Sequence, residues 1–143
     1  MISAYNHLYE HHFSSRPGCF YCGDVASTID HCPPLTFCDV KNLEWFREKK
    51  IKFYKVSSCV DCNKKLGNKA LLTLQERADF LMKKLENKTD ELVIWTDDEV
   101  AEMSEMFTKM IKARKEQNKI LFDRTRFCQE LIAKNDDFPE EGI

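Results

Sequence analysis

Four cysteines occur as two pairs with the spacing of metal ligands. Cys19 and Cys22 enclose two residues, and so do Cys59 and Cys62. A turn of this kind directs two thiolates at one ion, and two turns complete a tetrahedral set of four sulfur ligands for zinc. Because four thiolates leave no open position, the pattern predicts one structural Zn²⁺ per chain. The alternative interpretation is two unrelated pairs of thiols.

An acidic residue and a histidine lie side by side in the 36 residues that separate the two pairs. Asp30 and His31 are followed after one residue by two prolines, which do not continue helices or inner strands. Asn63 directly follows the last cysteine of the second pair. A metal that joins the two pairs would hold the Asp30-His31 strand opposite Asn63.

Short strands and helices must position these groups. The stretch "VASTID" predicts one arm of a hairpin, and "NLEWFREKKIKFYKV" predicts a short helix followed by a strand that enters Cys59. Another helix should start near Cys62. Residues 1–18 are interpreted as a polar lead-in with a short helix over residues 5–13, and residues 19–72 as the zinc-bound module.

The remainder of the chain has helical spacing. Thr73 and Glu76 form a capping box that predicts a helix over residues 74–87, and Thr96 and Glu99 repeat the signal. Apolar residues follow at helical spacing from Val100 to Ile111 and again from residue 121 to about 133. The charged stretch between them predicts a bend or an end of the helix. Residues 73–134 are therefore a helical region, and the acidic residues 135–143 are expected to form a flexible tail.

Composition restricts the class of protein. The chain has 143 residues, 43% of them apolar, and a formal charge of −2, so no global basic field indicates nucleic acid. Residues 41–69 nevertheless hold nine Lys and Arg against three acids, whereas residues 86–105 hold one Lys against eight acids. The sequence shows no apolar run of signal-peptide or membrane-spanning length, so we expect no membrane partner and seven reduced cysteines.

The motifs in combination resemble the HNH nucleases. The resemblance covers residues 19–69 and includes the recombination endonuclease VII-like proteins and HNH-like proteins of phages. Its matching residues are Cys19 to Gly23, Asp30 to Pro34, Cys59 to Asn63, Lys65 and Gly67. It implies an α+β fold in which a small zinc-bound treble-clef module of the ββα-metal type precedes a mostly α-helical C-terminal region. The resemblance also implies that the protein is located in the cytoplasm of a bacterial or phage-infected cell.

The resemblance implies a metal-dependent endonuclease that hydrolyses DNA phosphodiester bonds. His31 would be the general base, and Asp30 and Asn63 would bind a catalytic Mg²⁺ or Mn²⁺. Basic side chains would contact the DNA backbone. These candidate contacts are Lys52, Lys55, Lys64, Lys65 and Lys69.

One position departs from the family pattern. The family's central Asn, which orients the histidine, corresponds to Tyr54 in this chain. Either a backbone carbonyl orients His31 or catalysis is impaired. The alternative function is therefore a catalytically inactive zinc-binding module that binds a protein partner or DNA.

Several other residues have two interpretations. Cys32 and Cys38 could bind a second metal, but small buried apolar side chains are the favoured interpretation. Aromatic residues between positions 45 and 54 alternate with lysines and could stack on bases, although a core role is favoured. The histidines at positions 7, 11 and 12 are interpreted as solvated. The apolar stripes of the C-terminal helices predict a homodimer or a helical protein partner.

Overall fold

The computed structural model describes residues 5–92, 96–102 and 104–141. The strands are β1 (Glu10–His11), β2 (Thr28–Cys32) and β3 (Tyr54–Ser58). The α-helices are α1 (Val40–Glu48), α2 (Val60–Leu66), α3 (Leu74–Asp90), α4 (Asp97–Ala101) and α5 (Glu105–Lys134), and short 3-10 helices cover Asn6–Leu8 and Leu35–Phe37. The predicted mixture of α and β structure, with a mostly helical C-terminal region, is confirmed.

The three strands form one small sheet in the order β1-β3-β2. β2 and β3 are antiparallel, with Thr28 opposite Ser58 and Cys32 opposite Tyr54. The predicted strand before Cys59 is confirmed, whereas "VASTID" supplies only the first three residues of β2, which pairs with β3 across α1 and not in a hairpin. β1 pairs with β3 in parallel. The expected helix over residues 5–13 is wrong, because a 3-10 turn and β1 occupy this segment. The lead-in thus covers an edge of β3 that would otherwise leave backbone groups unpaired.

Local capping sets the limits of the helices. The Asp39 carboxylate accepts a hydrogen bond from the Asn42 amide at the start of α1, and the Thr73 hydroxyl accepts one from the Glu76 amide at the start of α3. α5 ends at Asn135, which adopts the left-handed conformation that Asn tolerates. The caps predicted from the sequence at Thr73 and Thr96 are both present.

The two long helices run antiparallel. The hydroxyl of Thr89 on α3 contacts the hydroxyl of Thr125 on α5. One turn earlier on α3, Glu86 accepts a hydrogen bond from Gln129, which lies one turn later on α5. The predicted interruption near residues 112–119 is wrong, because α5 is continuous over 30 residues. Lys, Arg, Glu and Gln are good helix formers, so the loss of apolar periodicity removes packing there without breaking the helix.

The N-terminal half of α5 exposes large apolar side chains. Met106, Phe107 and Met110 keep 72%, 58% and 56% of their accessible surface. Met103 and the side chain of Val100, which belong to the same predicted stripe, lie outside the described residues. The pairing of this region with a second copy or a partner helix stays a prediction. No described helix has the length and apolar character needed to cross a membrane.

One core joins the parts that the sequence separates. The largest buried cluster includes Cys19, Val56, Leu81 and Leu131, which come from the cysteine-rich module and the helical region alike. The acidic tail, which the sequence predicted to be flexible, packs against both the cysteine-rich module and the helical region. Phe138 contacts the Phe20 ring edge-to-face, and the carboxylate of Glu141 accepts hydrogen bonds from backbone amides at the start of α3.

Candidate metal centre

The two cysteine pairs meet in the structure. The sulfur atoms of Cys19, Cys22, Cys59 and Cys62 lie within 4.8 Å of one another, and all four residues are buried. The sulfurs of Cys22 and Cys59 are 3.6 Å apart. A tetrahedral zinc with sulfur ligands at ~2.3 Å would place its sulfurs ~3.8 Å apart, so the cluster has the size of a tetrathiolate site. All seven cysteines lie in the described ranges and are free thiols, so these four can hold a metal ion such as zinc.

Two different local structures present the sulfurs. Cys19 and Cys22 lie on a tight turn before β2. The backbone amide of Phe20 in this turn donates a hydrogen bond to the carbonyl of Ser57 on β3 at 2.8 Å. Gly23 follows the turn with a φ of +78°, and a Cβ there would collide with the Phe127 ring of α5. Cys59 is the N-cap of α2, and Cys62 lies in the first turn of that helix. The turn before β2 and the start of α2 therefore bring the four sulfur atoms to one point.

The cluster requires a cation to carry its full negative charge. Hydrogen bonding to Cys22 strongly lowers the pKa of the Cys19 thiol, and the same interaction raises the pKa of Cys22. The thiols thus compete for protons when no ion is bound. A divalent metal resolves this competition, because it binds all four groups as thiolates.

Arg124 on α5 lies against the same cluster. Its Nη2 atom is 2.8 Å from an Asp61 carboxylate oxygen, 3.5 Å from the sulfur of Cys62 and 3.9 Å from the sulfur of Cys59. Sequence reasoning did not identify this residue. The sequence did contain a signal for it, because Arg124 precedes Cys128 by four residues and Leu131 by seven. This spacing places Arg124 on the same face of α5 as these two buried residues.

Asp30 lies on the buried face of β2 and is 2% exposed. Arg77 of α3 donates Nε to one carboxylate oxygen at 2.9 Å and Nη2 to the other at 2.6 Å, and the Tyr21 hydroxyl donates to the same carboxylate. Burial opposes the charge of Arg77, but its bonds to Asp30 outweigh that effect and raise the pKa of the guanidinium. Both oxygens of Asp30 therefore take part in a buried ion pair, and the binding of Mg²⁺ by Asp30 stays a prediction.

His31 occupies the opposite face of β2. Its ring is half-buried, contacts the Tyr9 ring edge-to-face, and places Nε2 2.9 Å from the side-chain oxygen of Asn6. Burial is the main cause that lowers the pKa of His31, so the ring is neutral near pH 7. A neutral imidazole suits a general base, but one of its two nitrogens is already engaged.

Asn63 is placed at the far end of β2. Its side-chain amide donates to the Thr28 hydroxyl at 3.1 Å and to the Ile29 carbonyl at 3.4 Å. Thr28 and His31 are three residues apart, which corresponds to ~10 Å along a strand and to opposite faces. Asp30 and His31 therefore lie on opposite faces of β2, and the binding of one catalytic ion with Asn63 stays a prediction.

Tyr54 does not take the place of an orienting Asn. It pairs with Cys32 on the buried face of the sheet, and its hydroxyl donates to the Glu140 carbonyl at 2.8 Å. Lys55, not Tyr54, is the β3 residue opposite His31. The residue that hydrogen-bonds to the histidine is Asn6, from a segment that the resemblance does not cover.

The candidate DNA contacts differ in their availability. Lys52 pairs with Glu140 at 3.2 Å, Lys65 pairs with Asp61 at 2.9 Å, and Lys69 lies over the Phe80 ring. Lys55 is half-buried on β3. Lys64 is exposed and has no ion pair with any described residue.

The other cysteines and the aromatic residues mostly belong to the interior. Cys32 and Cys38 are buried, and neither joins the metal cluster. Phe46 and Tyr54 are buried as favoured from the sequence, whereas Trp45 keeps 42% of its surface exposed. His12 is not simply solvated, since its Nε2 lies 2.6 Å from the Asp137 carbonyl oxygen.

Comparison with models of protein families, with curated proteins and with solved structures found no match in any of the three.

Proposed function

We propose that the chain is a zinc-bound treble-clef module that binds DNA through its basic surface and does not cut it. One structural Zn²⁺ on Cys19, Cys22, Cys59 and Cys62 would join the turn before β2 to the start of α2. Buried thiolates around a closed site suit a structural ion, because no ligand position remains for water or substrate.

The observation that carries the absence of cleavage is the ion pair between Asp30 and Arg77. A catalytic Mg²⁺ needs free oxygen ligands, and breaking a buried ion pair to release one typically costs ~3–5 kcal/mol. The engagement of His31 by Asn6 and the position of Asn63 beside Thr28 add to this argument.

DNA is the favoured partner because the cysteine-rich module carries an excess of basic side chains. Residues 41–69 have six more basic than acidic side chains. Several of these are exposed without an ion pair to a described residue: Lys41, Arg47, Lys49, Lys50 and Lys64. Unpaired cations can replace the counterions of a phosphate backbone, which gives affinity that falls with salt.

A second candidate is the HNH-type endonuclease itself. The order of elements favours it, because two antiparallel strands and a helix occur in the order β2, β3 and α2 of a ββα-metal module, with α1 inserted between the two strands. One cysteine pair precedes β2, and the other lies at the start of α2. Catalysis by this route would require Asp30 to leave Arg77 and a Mg²⁺ or Mn²⁺ to bind between β2 and α2.

Two assays on the purified chain separate these functions. Fluorescence anisotropy with a labelled duplex should show binding that weakens with salt, and supercoiled plasmid should stay intact with Mg²⁺ or Mn²⁺. Lys64→Ala should weaken binding and reduce the salt slope by ~0.9, the value for one lost phosphate contact. The matched control is Lys83→Ala, which removes an exposed lysine from α3 outside the basic segment.

The contrary outcomes are distinct. Metal-dependent nicking that His31→Ala abolishes would establish the endonuclease in place of the binding module. Absence of duplex binding at low salt would reject DNA as the partner. An equal effect of Lys64→Ala and Lys83→Ala would reject the module as the contact surface.

A further inference from the structure

The tetrathiolate centre would place a large negative charge inside the protein. Four thiolates around a divalent ion carry a net charge of −2. The residues that provide them are 0–4% exposed, so water offers little screening. A buried charge is costly unless an opposite charge or hydrogen bonds compensate it. The backbone provides part of this, since the Cys62 amide donates to the Cys59 sulfur at 3.3 Å.

Arg124 supplies a cation at this point. Its side chain is 13% exposed, and Nη2 reaches the sulfurs of Cys59 and Cys62 as well as Asp61. Its Nε is buried without a partner among the described residues. Hydrogen bonds alone therefore do not explain why the guanidinium is buried here. A negatively charged metal centre beside it would explain the burial.

Arg124 also connects elements that are distant in sequence. The sulfurs come from the turn before β2 and from α2, whereas Arg124 belongs to α5. Phe127, one helical turn later, packs on Gly23 next to the first cysteine pair, with Arg16 over its ring at 3.5 Å from the centroid. The C-terminal half of α5 thus contacts both pairs of candidate ligands.

We propose that Arg124 is a positioning residue of the metal centre, which offsets part of the negative charge of the tetrathiolate and so links metal binding to the docking of α5. The inference rests on the proposed binding of Zn²⁺ by the four thiolates. Linkage is reciprocal: if α5 docking strengthens metal binding, metal binding strengthens α5 docking by the same factor.

The test is a zinc competition titration of the full chain against a chromophoric chelator. Arg124→Gln should weaken zinc binding by about 10- to 100-fold, the range for groups that surround metal ligands. Arg126→Gln removes the same charge from an exposed position on the same helix and should leave the affinity within about twofold. Arg124→Lys keeps the charge without the planar fork and should lie between these limits.

Asp61→Asn distinguishes charge compensation from a simple ion pair. This change removes the charge attraction between Arg124 and residue 61 but leaves the guanidinium beside the sulfurs. Zinc affinity should stay near that of the unmodified chain. Equal weakening by Asp61→Asn and Arg124→Gln would overturn the proposal, because the ion pair alone would then explain both.

Two further measurements separate this role from general loss of structure. In the Co²⁺-substituted chain, Arg124→Gln should shift the sulfur-to-metal charge-transfer band to lower energy, because the sulfurs lose a compensating cation. Zinc should protect α5 amides from hydrogen exchange less in this variant than in the unmodified chain. An unchanged band, or zinc affinity equal to that of Arg126→Gln, would overturn the proposal. Failure of the unmodified chain to bind Zn²⁺ would instead reject the proposed metal site.

Discussion

At the scale of single residues, contacts between side chains distant in the chain set the surroundings of the groups that could do chemistry. Cys19 and Cys22 are three positions apart on one turn, so the sequence alone predicts them as candidate ligands of one metal ion. Asp30 and Arg77 are 47 positions apart, and their contact exists only because α3 packs on β2. An Asp next to a His looks like a catalytic pair in the sequence, whereas the alternation of a strand sends the two side chains to opposite faces.

The buried ion pair gives a prediction about stability. Arg77→Met should lower the free energy of unfolding by ~3–5 kcal/mol, because it leaves the Asp30 carboxylate buried without its cation. Lys83→Met changes an exposed residue of the same helix and should stay within ~0.5 kcal/mol. Denaturant unfolding of the zinc-loaded chain, followed by circular dichroism, measures both.

The double variant makes the prediction specific. Asp30→Asn combined with Arg77→Met removes both charges, so it should be more stable than Arg77→Met alone. If Arg77→Met has no more effect than Lys83→Met, the pair does not stabilise the fold and Asp30 regains its candidacy as a metal ligand.

At the scale of elements, the sequence predicted what local chemistry determines. The capping residues Thr73 and Thr96 act within four residues, and both caps form. β1 has two residues and no pattern of its own, and its existence depends on pairing with β3, for example Glu10 with Tyr54. The continuity of α5 was missed for a related reason, since periodicity reports which side is buried and not where a helix ends.

The C-terminal tail also forms a contact that local sequence does not indicate, and this contact gives a prediction. Glu141 accepts hydrogen bonds from the amides of Leu74 and Gln75, so a residue distant in sequence caps α3 together with Thr73. Glu141→Ala should destabilise the chain by ~0.5–2 kcal/mol, the usual effect of losing a helix cap. Thermal unfolding and hydrogen exchange of the first α3 amides measure this effect.

Glu140→Ala is the matched control for the tail. Its side chain is 88% exposed and pairs with Lys52 at the surface, where such pairs contribute little. The two variants remove the same group from adjacent positions. Equal stability of both would mean that the tail does not cap α3 and that its contacts are incidental.

At the scale of the whole molecule, the metal centre and the helices share one core. Cys128 on α5 lies against the Ala78 carbonyl of α3, and Phe127 lies against the turn that carries the first cysteine pair. A module of ~50 residues buries too little apolar surface to be strongly stable alone. We therefore expect the fold to depend on the candidate metal site and the helical region together. The change in sequence pattern near residue 73 did not indicate this dependence.

This dependence predicts that removal of zinc affects more than the cysteine-rich module. Chelation, or Cys62→Ser, should lower the thermal stability of the chain and also reduce its helical signal, because α5 loses the surface on which Phe127 and Arg124 pack. Cys38→Ser changes a buried cysteine outside the cluster and should retain one zinc per chain. Elemental analysis and circular dichroism of the three samples are the measurements. A chelated chain with unchanged helicity and melting temperature would show that the helices and the sheet support the fold without the ion, and the zinc would then contribute to the local geometry of the cysteine turns alone.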